Sequence, residues 1–382
     1  MIFSKNQFRV PFDFRNDDVL TSLENGTDAK FILDWEGNEE VELLGNVWAV
    51  QRFITAILKF SEPTLCWSEK SLHALKNTPG SAFLLGCAIQ IDSAKHILID
   101  GTSLTPSRRV ALQQAVGSHQ LEPNWFDSTD SLVFTENKLR GWNKDFYTGP
   151  ALLRPRSEIE RLLNPLIEAK IDGLPNEEML NKWKDSLISV IYELFENTHI
   201  HARFNYDGFS IVPDLVRVVV VRLTKVSTGG NAKNFRTGKI VDCLEISILD
   251  SGIGFFGSKF KRPIAEKDDL KVEWLNLRQC LDKHIDDEPF QHTHRGVGLY
   301  EVLRALYFLK GAIQVRSGRT FGYRSFLPVD YQLQMEPSSA ASRPGMPKGK
   351  LLDFHEPYRA SPTLNNEVRG VVARTLVPLA WS

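Results

Sequence analysis

The segment Leu244-Glu245-Ile246-Ser247-Ile248-Leu249-Asp250-Ser251-Gly252-Ile253-Gly254 joins an apolar run to an acidic residue and two closely spaced glycines. The apolar run predicts a buried strand that ends at Asp250. A carboxylate in that position can accept a hydrogen bond from the exocyclic amine of a base. Gly252 and Gly254 would let the backbone approach a ligand closely. Taken alone, the segment is equally typical of a glycine-rich turn between two strands.

A second polar segment, Glu193-Leu194-Phe195-Glu196-Asn197-Thr198-His199-Ile200-His201, lies on a long helix predicted from about residue 176 to residue 202. Glu193 and Asn197 are four residues apart, so they project from one side of the helix, at the border of its apolar face. The Asn197 oxygen is a hard ligand suited to Mg²⁺. Glu193, one turn earlier, could accept a proton from a water that attacks a phosphate. The pair alone is also typical of the solvated edge of an amphipathic helix.

A third segment, His294-Arg295-Gly296-Val297-Gly298-Leu299-Tyr300-Glu301-Val302-Leu303, predicts a glycine turn that opens a helix extending to about residue 309. Backbone N–H groups at the N-terminus of such a helix can hold a phosphate. Gly311 is predicted to end the helix. A dinucleotide fingerprint GxGxxG and a phosphate loop GxxxxGK[ST] do not occur there, which disfavours those two nucleotide-binding folds.

In chain order, beginning with the Glu193 segment, the three segments resemble the N, G1 and G2 boxes of the GHKL superfamily, the Bergerat-fold ATPases of DNA gyrase, heat-shock chaperones, histidine kinases and mismatch-repair proteins. The matching positions are Glu193-x-x-x-Asn197, Asp250-x-Gly252-x-Gly254 and Gly296-x-Gly298-Leu299. Residues 311–318 and 370–379 are similar to the family's next strand and closing strand. The resemblance covers about residues 176–379. It implies an α/β sandwich in which helices cover one face of a mixed sheet.

The resemblance also implies a role for each matched residue, with ATP and Mg²⁺ as cofactors. Glu193 matches the general base, Asn197 the Mg²⁺ ligand and Asp250 the contact to adenine. Residues 255–295 take the place of the ATP lid, in which Lys261 and Arg262 are further candidates for phosphate contacts. The other implied nucleotide contacts are Gly252, Gly254, Lys259, Arg295, Gly296, Val297, Gly298 and Leu299.

The chain departs from the family's pattern at three points. The interval from Asn197 to Asp250 is longer than in compact members, which implies an insertion around residues 227–238. Gly370 is followed by Val371, where many relatives carry Thr. A further insertion at about residues 337–366, rich in Pro, Ser and Gly in its first part, interrupts the predicted sheet.

Histidines near the lid allow a different metal. The spacings of Cys280, His284, His292 and His294 are compatible with zinc, and His199 and His201 flank the same neighbourhood. The simpler interpretation is a lid that contains histidines. His201 is interpreted as a packed residue rather than a ligand.

The first 136 residues predict a separate α/β domain whose chemistry the sequence does not indicate. Strands are predicted at residues 29–35, 81–91, 96–100 and 131–135, and helices at residues 47–60 and 107–116. Residues 137–175 are predicted as a linker and a helix, with a capping box at Ser157-Glu158-Ile159-Glu160. Residues 176–382 form the predicted GHKL-type domain, with strands at residues 215–226, 241–249, 312–317, 322–327 and 371–378.

Composition limits the class of protein. Of the 382 residues, 42% are hydrophobic, and 46 Lys+Arg against 47 Asp+Glu give a net charge of −1. The apolar content predicts two or three folded domains, and the charge balance gives no indication of nucleic acid or an anionic membrane as partner. No leader or membrane-spanning run is evident, and the four cysteines are widely separated. We therefore expect a cytoplasmic protein.

Two kinds of GHKL protein fit the sequence poorly. A phosphotransfer histidine kinase needs an acceptor histidine before the ATP domain, and residues 137–197 contain none. A topoisomerase or mismatch-repair ATPase continues into a transducer domain, which is not expected here. We expect an ATPase that acts as a conformational switch on a protein partner or on a second copy of itself. The alternatives are a serine/threonine protein kinase of the anti-sigma-factor type and a non-hydrolysing, ATP-gated binding module.

Overall fold

The chain forms two large sheets with helices packed between and around them. The computed structural model describes residues 7–10, 12–23, 27–34, 46–78, 82–120, 130–135, 143–149, 151–171, 177–210, 215–227, 240–282, 298–326, 351–356 and 359–379. One sheet has four parallel strands and the other has seven antiparallel strands. The predicted α/β class is confirmed. In the described ranges, no helix is both long enough and apolar enough to cross a membrane.

The four-stranded sheet is built from the first third of the chain. Its strands lie side by side in chain order: β1 (Gln7–Val10), β2 (Asp28–Leu33), β3 (Glu62–Trp67) and β4 (Lys95–Leu98). Parallel neighbours require crossover connections, which here contain helices. These helices are α1 (Asp18–Thr21), α2 (Val47–Ile57), α3 (Glu69–Asn77) and α4 (Phe83–Gln90), and α5 (Pro106–Gly117) follows β4. Thr105 caps α5 and Pro106 is its first residue.

One predicted element in this region is wrong. Residues 81–91 were expected to form a strand, but residues 83–90 form α4. Every residue of α4 is buried, so no polar face reveals the helical period, and an eight-residue apolar run looks the same in either structure. A Cβ on Gly86 would lie 3.2 Å from Val133 and 3.3 Å from Val116, so the glycine permits close packing of α4. The other strands and helices predicted before residue 136 are confirmed where the structure describes them.

The seven-stranded sheet has the order β12-β11-β10-β13-β9-β8-β5. Its strands are β5 (Asp130–Thr135), β8 (Val216–Ser227), β9 (Ile240–Asp250), β10 (Ala312–Gly318), β11 (Thr320–Ser325), β12 (Leu352–Asp353) and β13 (Val368–Pro378). Every described pairing is antiparallel, whereas a mixed sheet was expected; parallel pairing is confined to the first sheet. Strand β5, which the sequence analysis assigned to the N-terminal domain, pairs with β8.

Five helices follow β5 in the chain, together with a small hairpin of β6 (Tyr147–Gly149) and β7 (Leu152–Leu153). They are α6 (Arg156–Ile171), α7 (Glu177–His201), α8 (Gly254–Phe260), α9 (Leu270–Asp282) and α10 (Gly298–Phe308). The predicted long helix and the predicted helix at residue 298 are confirmed as α7 and α10. Ser157 is the second residue of α6 rather than its cap, because the helix begins at Arg156.

Both faces of the seven-stranded sheet are covered, where helices on one face only were expected. Helices α7 and α10 pack on one face, in a core that includes Trp183, Ile246 and Val302. Helices α2 and α4 of the N-terminal region pack on the other face, against Val218 and Val372. The run of valines in β8 is buried on both sides, and such a run is typical of a strand with two covered faces.

The predicted insertions lie only partly within the described ranges. The segment at residues 227–238 falls outside them except for its first residue. Of residues 337–366, the structure describes 351–356 and 359–366, which include β12 at the edge of the sheet.

Candidate functional site

Asp250 is the last residue of β9 and lies at the end of the seven-stranded sheet. It stands opposite Arg217 of β8 and Val371 of β13. Because side chains alternate along a strand, Asp250 shares a face with Ile246 and Ile248, the face covered by α7 and α10. Only 5% of its surface is exposed, and its Oδ1 accepts a hydrogen bond from the Gly252 N–H at 2.9 Å.

Burial raises the pKa of Asp250 to about 6. The backbone N–H groups of Gly252 and Val371 oppose this rise, as do the positive charges of Arg217 and Arg369. The carboxyl group is therefore ionised at pH 7, with a pKa well above that of an exposed aspartate. A carboxylate held in this state is available as a hydrogen-bond acceptor.

The glycines after Asp250 permit close contacts within the chain. A Cβ on Gly252 would lie 2.7 Å from the backbone of Ala202, next to the end of α7. Gly254 has φ +67°, and a Cβ there would lie 2.7 Å from Ser317 Oγ. A larger residue at position 252 would push the end of α7 away from the turn. The glycine turn thus fixes α7 against the end of β9.

Glu193 and Asn197 lie one turn apart on α7, both half-buried. The Asn197 Nδ2 donates a hydrogen bond to the Glu193 carbonyl oxygen at 2.7 Å. This fixes the amide, and Oδ1 makes no hydrogen bond with any residue that the structure describes. Asn197 Oδ1 and the Glu193 carboxylate are the hard oxygen donors of α7 that could hold a divalent cation such as Mg²⁺.

The Glu193 carboxylate is surrounded by charged groups. Its Oε1 accepts a hydrogen bond from Arg156 at 3.2 Å. Burial, followed by the charge of Glu196, raises its pKa above the ordinary value; Arg156 opposes the rise and Glu301 adds to it. A raised pKa makes a carboxylate a better proton acceptor at neutral pH.

The third segment of the sequence lies mostly outside the described ranges. Arg295, Gly296 and Val297 fall outside them, whereas Gly298 begins α10 and Leu299 packs partly buried against the core. The first turn of α10 carries Glu301, whose charge acts on Glu193. Helix α10 therefore begins in the neighbourhood of Glu193.

Two residues expected to contact phosphate, Lys259 and Arg262, have other partners in this structure. Lys259 Nζ donates to Gln279 Oε1 of α9 at 2.5 Å. Arg262 forms two hydrogen bonds with the Asp268 carboxylate, at 2.6 Å and 2.8 Å. Neither cation contacts Asp250 or Asn197. Of Cys280, His284, His292 and His294, only Cys280 is described, and the described residues contain no cluster of metal-binding side chains.

A buried polar chain beside Asp250 was not foreseen from the sequence. Arg217 is fully buried and donates from Nη1 to the Tyr147 hydroxyl at 2.8 Å. That hydroxyl lies 3.2 Å from Nδ1 of His199. Burial, with the charges of Arg217 and Arg203, lowers the pKa of His199 to about 4, so this histidine is neutral at pH 7. The sequence gives one indication of this polar chain: Arg217 interrupts a run of valines, and a charge buried in such a strand must find a partner.

Comparison of the chain with known protein families, with curated proteins and with solved structures found no match. The site therefore has to be interpreted from its own residues. It combines a buried acceptor at a strand end, a fixed amide oxygen and a half-buried carboxylate with a raised pKa.

Proposed function

We propose that the chain binds ATP with Mg²⁺ and hydrolyses it as a GHKL-type ATPase. The observation that carries this proposal is the packing of α7 across the end of β9, with the backbone of Ala202 against Gly252. Asp250, on the strand, and Asn197, on the helix, thereby belong to one end of the sheet. The three motifs also occur along this chain in the same order as in the GHKL family, which supports the proposal.

Each residue has a distinct role in this proposal. The ionised Asp250 accepts a hydrogen bond from the adenine amine. Asn197 Oδ1 holds Mg²⁺, which when bound neutralises charge on the phosphates. Glu193 takes a proton from the attacking water, and its raised pKa favours that transfer. Arg156, hydrogen-bonded to Glu193, keeps the carboxylate oriented.

The proposed output is a switch in the cytoplasm. Residues 255–295 would change their contacts when nucleotide is bound, and hydrolysis would reset them. The partner is a protein or a second copy of this chain. In the structure, α8 and α9 are joined by the pair of Lys259 with Gln279, a contact that Lys259 must leave to reach a phosphate.

Nucleotide titration of the parent and of Asp250→Asn tests the proposal. The variant loses an ionised acceptor for the adenine amine, so ATP affinity should fall about tenfold to hundredfold, the equivalent of about 1.5 to 3 kcal/mol. GTP should bind the parent more weakly than ATP. Asp242→Asn is the matched control, because Asp242 is exposed near the start of the same strand.

The outcomes separate the candidate functions. Equal affinity for ATP and GTP, unaffected by Asp250→Asn, contradicts the proposal. Transfer of labelled phosphate to a protein, in place of phosphate release, indicates the protein kinase. Binding with neither reaction indicates the gated binding module.

A further inference from the structure

A cleft of about 370 Å³ lies beside the turn that follows Asp250, with Gly252 and Ile253 in its wall. Its walls come from both halves of the molecule: Leu20 and Thr55 from the N-terminal region, and Gly252, Phe256 and Gly370 from the C-terminal region. Glu193, Asn197 and Asp250 do not line it. The cleft thus excludes these three residues but shares Gly252 and Arg262 with the nucleotide contacts that the family resemblance implies. Its volume lies within the range of small-molecule pockets.

Apolar and polar side chains both line the cleft, and its rim carries more cations than carboxylates. Leu20, Leu58, Phe256 and Ile264 supply apolar surface. Three cations, Lys59, Arg262 and Arg369, stand against a single carboxylate, that of Glu367.

Two of these cations are already engaged with the chain. Arg262 lies 5.0 Å from the Phe256 ring and is hydrogen-bonded to Asp268. Arg369 Nε donates to the Ser251 carbonyl at 3.2 Å. Lys59 is exposed, and its ammonium group forms no hydrogen bond or ion pair with any described residue. Its ammonium group is the one on the rim that can meet a ligand without breaking a contact.

We propose that this cleft binds a small organic anion, a compound with an apolar body and one carboxylate, sulfonate or phosphate group. The apolar body contacts the leucines and Phe256, and the anionic group meets Lys59 at the rim. A cationic ligand is disfavoured, because Lys59 and Arg369 outnumber Glu367, while Arg262 is already paired with Asp268.

The cleft is joined to the turn after Asp250 by hydrogen bonds. The Arg369 N–H donates to Thr55 Oγ1 of α2 at 2.9 Å, and the Arg369 side chain donates to Ser251. A Cβ on Gly370 would lie 1.8 Å from the Asp250 carbonyl oxygen, so the two backbones are in direct contact. A ligand that shifts Arg369 or Gly370 therefore shifts the turn that carries Asp250. This coupling makes the anion an effector of ATP binding, an inference that rests on the proposed function.

Anilinonaphthalene sulfonate is a suitable probe, because it joins an aromatic body to one sulfonate and fluoresces in apolar surroundings. The full chain is titrated without nucleotide. Lys59→Glu should weaken probe binding about fivefold to tenfold, because it replaces an attraction at the rim by a repulsion. Ile264→Trp should abolish binding, since the larger side chain fills the cleft.

Two control variants accompany this titration. Lys95→Glu makes the same change of charge at an exposed position of β4, and Ile264→Val keeps the cleft open. Both variants should bind the probe like the parent. Absence of probe binding by the parent would overturn the proposal. So would binding that Lys59→Glu and Ile264→Trp leave unchanged, because the probe would then occupy another apolar surface.

A second titration tests the coupling. ATP affinity is measured with and without saturating probe, and probe affinity with and without ATP; both should change by the same factor, about threefold or more. Probe binding without any ATP binding refutes the proposed function but still supports the cleft as an anion-binding site. Binding of both with no mutual effect refutes the coupling.

Discussion

Asp250 is expected to lower the stability of the protein at neutral pH. Its pKa is raised by burial to about 6 from the ordinary 3.8, so the folded state holds its proton more tightly than the unfolded state. The contribution of Asp250 to stability is therefore full below about pH 4 and is lost as the pH rises through 6. A destabilising ionised group at a strand end is typical of a ligand site rather than of a structural contact.

Asp250→Asn should therefore stabilise the protein at pH 7. Removal of the buried charge is worth about 2 to 3 kcal/mol, and loss of one acceptor oxygen costs about 1 kcal/mol, so a net gain of about 1 to 2 kcal/mol is expected. Chemical denaturation at pH 7 and pH 4 measures it. The gain should vanish at pH 4, and Asp242→Asn should show none. A destabilised variant at pH 7 would contradict the burial of an ionised Asp250.

Glu193→Gln should abolish most ATP turnover while ATP affinity is kept. The amide has the same shape but cannot take a proton, and a placed general base is worth about 10²- to 10⁴-fold in rate. Phosphate release and ATP titration measure the two effects. Glu196→Gln is the control, because Glu196 accepts a hydrogen bond from the Tyr192 hydroxyl on its own helix. Loss of turnover in the Glu196 variant alone would show that Glu193 has been wrongly assigned as the general base.

For single residues, the sequence predicts contacts between near neighbours in the chain and misses contacts between distant segments. The spacing of Glu193 and Asn197 places them on one side of α7, and the apolar run before Asp250 places it at a strand end. Arg217, Tyr147 and His199 meet only after three separate segments have packed. No local pattern records such a meeting, so this part of the site required the structure.

Among the elements, β13 is the one most constrained by a glycine. Gly370 has φ +71°, and an added Cβ would lie 1.8 Å from the Asp250 carbonyl oxygen. Gly370→Ala should destabilise the protein by about 3 kcal/mol or more, because backbone strain and a backbone clash add. Gly101→Ala is a matched control with φ +89° and no atom within 4 Å, so only the strain of about 1 kcal/mol remains. Denaturation curves compare the two. Equal losses would show that β13 can shift away from the turn.

The elements that sequence periodicity predicts well are those with one polar face. Helix α5 and helix α7 each have exposed and buried sides, and their bounds are predicted to within about one residue. Helix α4 has no exposed side and was mistaken for a strand. The parallel strand β3 and helix α3 were not predicted. The error at α4 therefore arises where burial removes the period that distinguishes the two structures.

The two halves of the whole molecule are joined by a part-buried ion pair. Arg316 of β10, 1% exposed, donates to both oxygens of Asp17, which also accepts from Arg52 of α2. Burial alone would raise the pKa of Asp17, but Arg316 and Arg52 outweigh it and lower the pKa. The N-terminal region is thus fixed on the sheet by charge as well as by apolar packing.

Asp17→Ala should destabilise the whole protein by about 2 to 4 kcal/mol, because Arg316 stays buried without its partner. Denaturant unfolding measures this loss. The exposed pair of Glu69 with Arg108 is the control, and Glu69→Ala should cost less than about 1 kcal/mol. A loss confined to the N-terminal region, with two separate transitions, would show that the halves unfold independently.

The sequence did not indicate that the two halves share a core. Valines of β8 and Val372 of β13 belong to the same buried cluster as the helices of the N-terminal region. Helix–sheet contacts between residues more than 300 positions apart, such as Arg369 with Thr55, have no local pattern. A boundary placed at residue 136 therefore separates β5 from the sheet to which it belongs.

The position of β13 also determines the order in which the chain can fold during synthesis. It is the last strand in the described chain, yet it lies between β9 and β10 in the sheet. Until residue 378 has left the ribosome, the sheet exists as two unconnected parts, each with an open edge. The edges of β9 and β10 stay open to pairing with other chains until β13 lies between them. Chaperone demand should accordingly depend on elongation rate, and a slow ribosome prolongs the hazard.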